Sequence, residues 1–220
     1  MVLKKLVALT ALCLFVLFAY EGNAQKSLQP TIGLKGGVNF ATLNGDDAKM
    51  TMGGNNVVDA SSKLTAAFGG FITYKFSERF AVQPEVLLSM KGTVFDADEY
   101  VQTWSLWYLE VPILFKSVFK MKRNIEGGVY AGPAVAYNLK ATWTKEINDN
   151  TEVDGEELQK INSLDFGACV GADFNMRALG GKLYLDLRYT YGLVNIQENV
   201  SVSNGVLSAM VGYAFPLNKL

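Results

Sequence analysis

From Trp104 to Phe119 the chain reads W-S-L-W-Y-L-E-V-P-I-L-F-K-S-V-F. The odd positions Trp107, Leu109, Val111, Ile113, Phe115 and Phe119 are apolar, and only Ser117 interrupts them, while Glu110 and Lys116 fall on even positions. A period of two marks a strand. This one exceeds the ~5 to 6 residues usual in soluble sheets and reaches the ~9 to 11 that a tilted strand needs to cross a bilayer. Soluble barrels bury their apolar side chains, whereas membrane barrels turn them to lipid and keep a polar interior. Charges on one face and grease on the other therefore predict an inside-out barrel.

The same alternation predicts strands near Thr31 to Thr42, Leu64 to Phe76, Phe80 to Gly92, Thr103 to Phe119, Ile125 to Trp143, Ile161 to Met176, Lys182 to Val194 and Gly205 to Phe215. Ser77 to Arg79, Lys120 to Asn124 and Ala178 to Gly181 read as tight turns, and Leu43 to Lys63, Thr93 to Gln102, Thr144 to Lys160 and Asn195 to Asn204 as long polar loops. Short turns on one side and long loops on the other are the habit of outer-membrane barrels, with turns periplasmic and loops outside. The expected fold is all-β: an eight-stranded antiparallel up-and-down transmembrane β-barrel with both termini periplasmic.

In the seventh strand Leu183, Leu185, Leu187, Tyr189 and Tyr191 alternate with Tyr184, Asp186, Arg188, Thr190 and Gly192, and the third and sixth strands separate as cleanly. Gly33, Gly37, Gly69, Gly128, Gly132 and Gly212 share the inner parity and would relieve crowding. The inward charges are Lys35, Lys75, Lys91, Lys116 and Arg188 against Glu85, Glu110, Glu126, Asp165, Asp173 and Asp186. Charges in a confined interior persist only when paired or hydrogen-bonded. Eight strands enclose little more than their own side chains, so these residues are expected to form a salt-bridge network that plugs the lumen. A narrow ion path is the functional alternative.

Phe76, Phe80, Phe119, Phe174, Tyr213 and Phe215 toward the turns, and Tyr137, Trp143, Tyr189 and Tyr191 toward the loops, are placed as two outward aromatic girdles. Pro84, Pro112 and Pro133 fall inside strands, where a missing N–H costs a ladder bond unless a bulge absorbs it.

Composition adds a destination. Met1 to Lys5 supplies a basic start, Leu6 to Tyr20 an apolar stretch and Gly22-Asn23-Ala24 a small-x-small site, the pattern of a cleavable signal peptide over residues 1–24 with a mature domain at 25–220. Cys13 would leave with it, and Cys169 alone cannot form an intrachain disulfide. Removing Lys4, Lys5 and Glu21 from 20 basic and 21 acidic residues leaves a slightly acidic chain. That excludes a nucleic-acid partner, which selects basic surfaces. The expected location is the outer membrane, with its lipid and lipopolysaccharide as surroundings.

Four stretches carry a family likeness: Gly36-Gly37-Val38-Asn39-Phe40, Gln83-Pro84-Glu85-Val86-Leu87-Leu88-Ser89-Met90-Lys91-Gly92, Tyr108-Leu109-Glu110-Val111-Pro112-Ile113-Leu114-Phe115-Lys116 and Leu187-Arg188-Tyr189-Thr190-Tyr191-Gly192-Leu193-Val194-Asn195-Ile196. In order and spacing they resemble the PorT-like outer-membrane β-barrel family of Bacteroidota. The resemblance implies an outer-membrane barrel and makes the strand prolines family features. It implies no activity, although some members are associated with protein secretion, so envelope or secretion proteins become expected partners. The chain departs from the usual barrel ending in that Pro216 to Leu220 follows Phe215, so recognition by the barrel assembly machinery would fall to Tyr213 and Phe215.

Candidate chemistry is sparse. The chain has no histidine, which removes the usual general base of hydrolases and the commonest metal ligand. No enzymatic activity, cofactor or metal is expected. Glu85 and Glu110 on adjacent strands could do acid–base work, but Lys91 and Lys116 follow each by six residues and point to structural ion pairs. Cys169 reads as a small packed thiol. The third loop gathers Asp149, Glu152, Asp154, Glu156 and Glu157, a solvated charge run or a surface for cations or a partner. Its likeness to a calcium loop fails at the twelfth position, Ile161. The first loop, around Gly45 to Asn56, carries no motif. The function expected is a structural or interaction protein of the envelope; the alternatives are a transport barrel and a secreted lipocalin-like binder.

Overall fold

The computed structural model describes residues 30–52, 56–97, 100–122, 124–147, 150–158, 161–197 and 200–217. The signal peptide expected over residues 1–24 lies outside these residues, as does Asp149.

Eleven strands run in order: β1 (Thr31–Asn44), β2 (Lys49–Met52), β3 (Asn56–Asp59), β4 (Ser61–Lys75), β5 (Phe80–Ala97), β6 (Tyr100–Lys122), β7 (Ile125–Ile147), β8 (Asn150–Glu157), β9 (Leu164–Ala178), β10 (Gly181–Gly192) and β11 (Ser203–Pro216). Eight of them, β1, β4, β5, β6, β7, β9, β10 and β11, pair antiparallel with their neighbours in the chain of barrel strands, and β6 pairing with β7 and β1 with β11 close the ring. The expected eight-stranded up-and-down barrel is the fold observed.

Parity decides what each face meets. On β10, Leu183, Leu185 and Leu187 are 46%, 44% and 46% exposed, whereas Asp186 and Arg188 between them are each 3% exposed. Leu34, Phe40, Leu64, Phe68, Phe115, Val170, Leu207 and Val211 continue the exposed apolar band around the ring. In water so large an apolar surface would drive association, and in a bilayer it is the surface lipid requires. No helix among the described residues is long and apolar enough to cross a membrane.

At the turn side, β9 and β10 join through Leu179 and Gly180, both with positive φ (50° and 84°), the mirror-image turn whose twist suits a two-residue hairpin. Phe76 stacks on Phe80 and Tyr213 meets Phe215 edge-on, both at this end.

Several strands differ from the sequence reading. β5, β6 and β7 run several residues further toward the loops, and the third long loop is a hairpin, since β8 pairs with the extension of β7. The first loop folds as the β2–β3 hairpin, because Ala48 and Met50 on one arm and Val58 and Ala60 on the other have an apolar surface to cover. Trp143 is not part of an outer girdle. Trp107 pairs with Lys140 and Tyr108 with Asn138, so Leu139 is an extra residue in β7. That bulge flips the parity beyond it, and Trp143 pairs with Trp104 on the side of buried Leu106 and Ala141.

The prolines are accommodated without bulges. Pairing lapses between Phe71↔Glu85 and Tyr74↔Val82, between Pro84↔Ile113 and Leu87↔Glu110, and between Pro112↔Ala134 and Phe115↔Ala131, with the register unchanged on either side of each gap. The missing donors therefore cost local ladder bonds while the alignment of the walls survives.

Candidate functional site: the lumen

The strand order fixes who can meet across the barrel. Around the ring, β5 and β10 stand four strands apart and so form opposite walls, while β1 and β7 stand midway between them. Glu85 on β5, Arg188 and Asp186 on β10, Lys35 on β1 and Tyr130 on β7 all point inward from these four quarters.

They meet on the axis. Arg188 donates from Nη1 to Glu85 Oε2 at 2.8 Å and from Nη2 to Glu85 Oε1 at 3.2 Å, and also donates to both oxygens of Asp186 at 3.0 and 2.6 Å. Lys35 Nζ donates to Glu85 Oε1 at 2.7 Å and to Asp186 Oδ2 at 3.0 Å. The Tyr130 hydroxyl donates to Asp186 Oδ1 at 2.6 Å and Gln83 Nε2 to Glu85 Oε1 at 2.7 Å. Two carboxylates thus receive two cations and two neutral donors, the saturation that a buried ionic cluster requires.

Further tiers lie above and below. Toward the loops, Lys91 pairs with Glu110 at 3.1 Å and Asp165 at 3.5 Å, and Asn204 donates to Asp165 at 2.7 Å. Toward the turns, Lys116 pairs with Asp173 and donates to Gln83 Oε1 at 2.9 Å, which also accepts from the Thr73 hydroxyl at 2.8 Å. At the turn-side mouth Lys75 and Lys182 both donate to Glu126 Oε2, at 2.9 and 2.7 Å.

Aromatic rings separate the tiers. Lys91 lies 4.8 Å from the Tyr108 ring centre, Arg188 lies 5.5 Å from that of Tyr130, and Lys116 lies 5.7 Å from those of Tyr130 and Tyr184. Space for Tyr130 comes from Gly171 on β9, where an added Cβ would overlap the phenol oxygen that reaches Asp186. Cys169 is buried against Leu114 and Tyr130.

Every inward charge expected from the sequence is placed in this column, with partners the sequence did not indicate. Glu85 pairs with Lys35 and Arg188 rather than Lys91, and Glu110 pairs with Lys91 rather than Lys116. Six residues along a strand span about 20 Å, too far for an ion pair on one strand. Partners are instead set by which strands face each other. Lys182 was missed, although it has the parity of Asp186. With it, the ion-paired cations Lys35, Lys75, Lys91, Lys116, Lys182 and Arg188 equal in number the carboxylates Glu85, Glu110, Glu126, Asp165, Asp173 and Asp186.

Above the ions sits an apolar lid. Leu43, Ala48, Phe95, Leu106, Tyr108, Ala136, Ala141, Ile196 and Val202 form one buried cluster, against which Met50, Val58, Trp104, Leu158, Ile161 and Val200 pack. Each of the four loop regions contributes. Ile161 bridges to Gln197, and Asn162 N donates to Ile196 O at 2.8 Å, which draws the last two loops together. The signal in the sequence was a scatter of single apolar residues in polar segments, which carries no period.

A lipocalin-like binder would have an apolar lumen, and this lumen is ionic from Lys91 down to Glu126. Among the described residues no group of histidine, cysteine or carboxylate side chains is arranged to hold a metal ion. Glu152, Asp154, Glu156 and Glu157 lie on β8, as an arm of a hairpin rather than a loop.

Residues 18–198 match the family described as outer membrane protein beta-barrel domain. The chain belongs to that family. Its location is accordingly the outer membrane. Among solved structures the chain is similar to Ail, the attachment invasion locus protein of Yersinia pestis, at 11% identity and TM-score 0.41, covering 86% of this chain and 100% of that one. It is also similar to neisserial surface protein A at 13% and 0.45 (82% and 95% covered) and to OprG of Pseudomonas aeruginosa at 14% and 0.43 (86% and 97% covered). No curated protein matches the chain.

Proposed function

We propose that this family member is a closed, non-conducting barrel that serves the envelope as a structural or interaction protein, accessory to protein secretion. The observation that carries the reading is the bridge across the full width of the lumen from Arg188 to Glu85, beneath a lid to which all four loop regions contribute. A transport barrel needs a continuous polar path. Here Lys35, Lys91, Lys116 and Arg188 are each ion-paired across the axis and the loop-side end is apolar.

The finer assignment to the PorT-like family of Bacteroidota, and with it the secretion role, is supported by the motifs around Gly36, Pro84, Glu110 and Arg188. The basic and apolar N-terminus supports export by a cleaved signal peptide, and the short-turn, long-loop asymmetry supports periplasmic termini with loops outward. Outer-leaflet lipopolysaccharide and the assembly machinery are then its general partners. The lack of any histidine supports a protein without enzymatic activity.

A photo-crosslinking side chain at exposed Asp59 on the loop side or Glu78 on the turn side, in the intact envelope, tests the interaction role. Discrete protein adducts from one of these positions, identified as envelope or secretion components, are expected. Lipid adducts alone from both would contradict it.

A further inference from the structure

The turn-side end of the lumen is built differently from the rest. Below the Phe71–Tyr184–Ala214 cluster the barrel opens into a blind cavity of about 590 Å³, which Lys75, Lys120, Glu126, Arg177, Lys182 and Tyr184 line together with Glu78. Higher in the lumen the cations do not outnumber the carboxylates. Here, among the described lining residues, Lys75, Lys120, Arg177 and Lys182 face only Glu78 and Glu126.

The arrangement leaves positive charge unspent. Lys75 and Lys182 share a single oxygen, Glu126 Oε2, and all three side chains are more than four-fifths buried. Lys120 and Glu78 meet at 3.4 Å with 71% and 77% of their side chains exposed, a pair that water and salt weaken. Arg177 anchors its backbone N–H on Asn124 O at 3.0 Å, and its side chain makes no ion pair among the described residues. A low-dielectric wall around an uncompensated pair of positive charges focuses the field into the cavity and concentrates anions there.

We propose that this vestibule binds a small soluble phosphate-type dianion, with Lys75 and Lys182 as the deep charges and Arg177 and Lys120 closing over it from the rim. A dianion matches the excess of two charges. The guanidinium fork of Arg177 offers the paired donors that phosphate oxygens accept, and the lysines supply point charges. Tyr184 adds a polar tip and a ring face at the floor. The volume exceeds that of inorganic phosphate many times over, so a phosphate ester fits. The cavity lies on the barrel axis behind the strand walls, which separates it from the headgroups of surrounding lipid.

Calorimetric titration of inorganic phosphate into the full chain, refolded in maltoside micelles at low salt, tests this. One saturable site is expected. Its affinity should fall on the order of tenfold in Arg177→Gln and again in Lys182→Gln, since each removes a hydrogen bond to a charged group. Lys49→Gln, on the loop side and half exposed, lowers the net charge equally and should leave the affinity unchanged. Arg177 has no ion-pair partner among the described residues, so its variant removes no described ion pair at the mouth. Absence of saturation, equal weakening in Lys49→Gln, or binding seen only in discs containing phosphatidylglycerol and never with phosphate would each overturn the proposal.

Discussion

Arg188 and Glu85, 103 residues apart in sequence, meet through two hydrogen bonds of 2.8 and 3.2 Å although their strands form opposite walls of the ring. A pair that spans a barrel's diameter leaves no open path beside it when Lys35 and Tyr130 fill the remaining quarters. The same pair ties together walls that share no backbone hydrogen bonds, so it acts on stability as well as on permeability.

Replacing Arg188 with Met leaves Lys35 as the one cation paired with the two buried carboxylates, Glu85 and Asp186, among the described residues. Breaking a buried ionic cluster in this way costs about 3–5 kcal/mol. Urea-induced unfolding from liposomes should show that loss, and Glu85→Gln combined with Arg188→Met should cost at least about 1 kcal/mol less than the two separate losses together. Strict additivity would mean the two side chains are not coupled.

The outward face should answer to depth. Leu187, near the middle of β10, should lose about 2–4 kcal/mol as Leu187→Arg, while Met176→Arg, near the turn-side end of β9, should lose about 0–1 kcal/mol. Both residues are 44–46% exposed, so burial alone does not distinguish them. Equal penalties in liposome unfolding would contradict the placement of the hydrocarbon band.

The apolar lid and the ionic column are separate obstructions. Ile196 is 2% exposed within the lid, and Ile196→Ala should lower stability by about 2–5 kcal/mol and expose the third and fourth loop regions to protease. It should not create a conducting pore, because the Arg188–Glu85 bridge lies below. Unchanged protease resistance would remove Ile196 from the lid.

The fold was legible because a strand with lipid on one side and ions on the other writes its orientation into every second residue, as Leu185, Asp186 and Leu187 do. Which ions pair was not legible. Lys116 reaches Asp173 rather than Glu110 because partners are chosen by strand order and stagger around a closed ring, and neither is encoded in spacing along one strand. The lid was hidden for a different reason: Met50, Val58, Leu158 and Ile196 are isolated apolar residues in segments that read as solvated. Leu139 hid Trp143 in the same way, since one extra residue inverts all that follows and leaves no mark in composition.

Single-channel recording in planar bilayers reads whether the lumen is sealed. The full chain, inserted at high density, should give no steady unit current at any applied voltage, because the ion pairs from Lys91 down to Lys116 fill the axis below an apolar lid. Discrete current steps of constant size, present in the native sequence and abolished when the protein is omitted, would contradict a sealed lumen and make this barrel a channel.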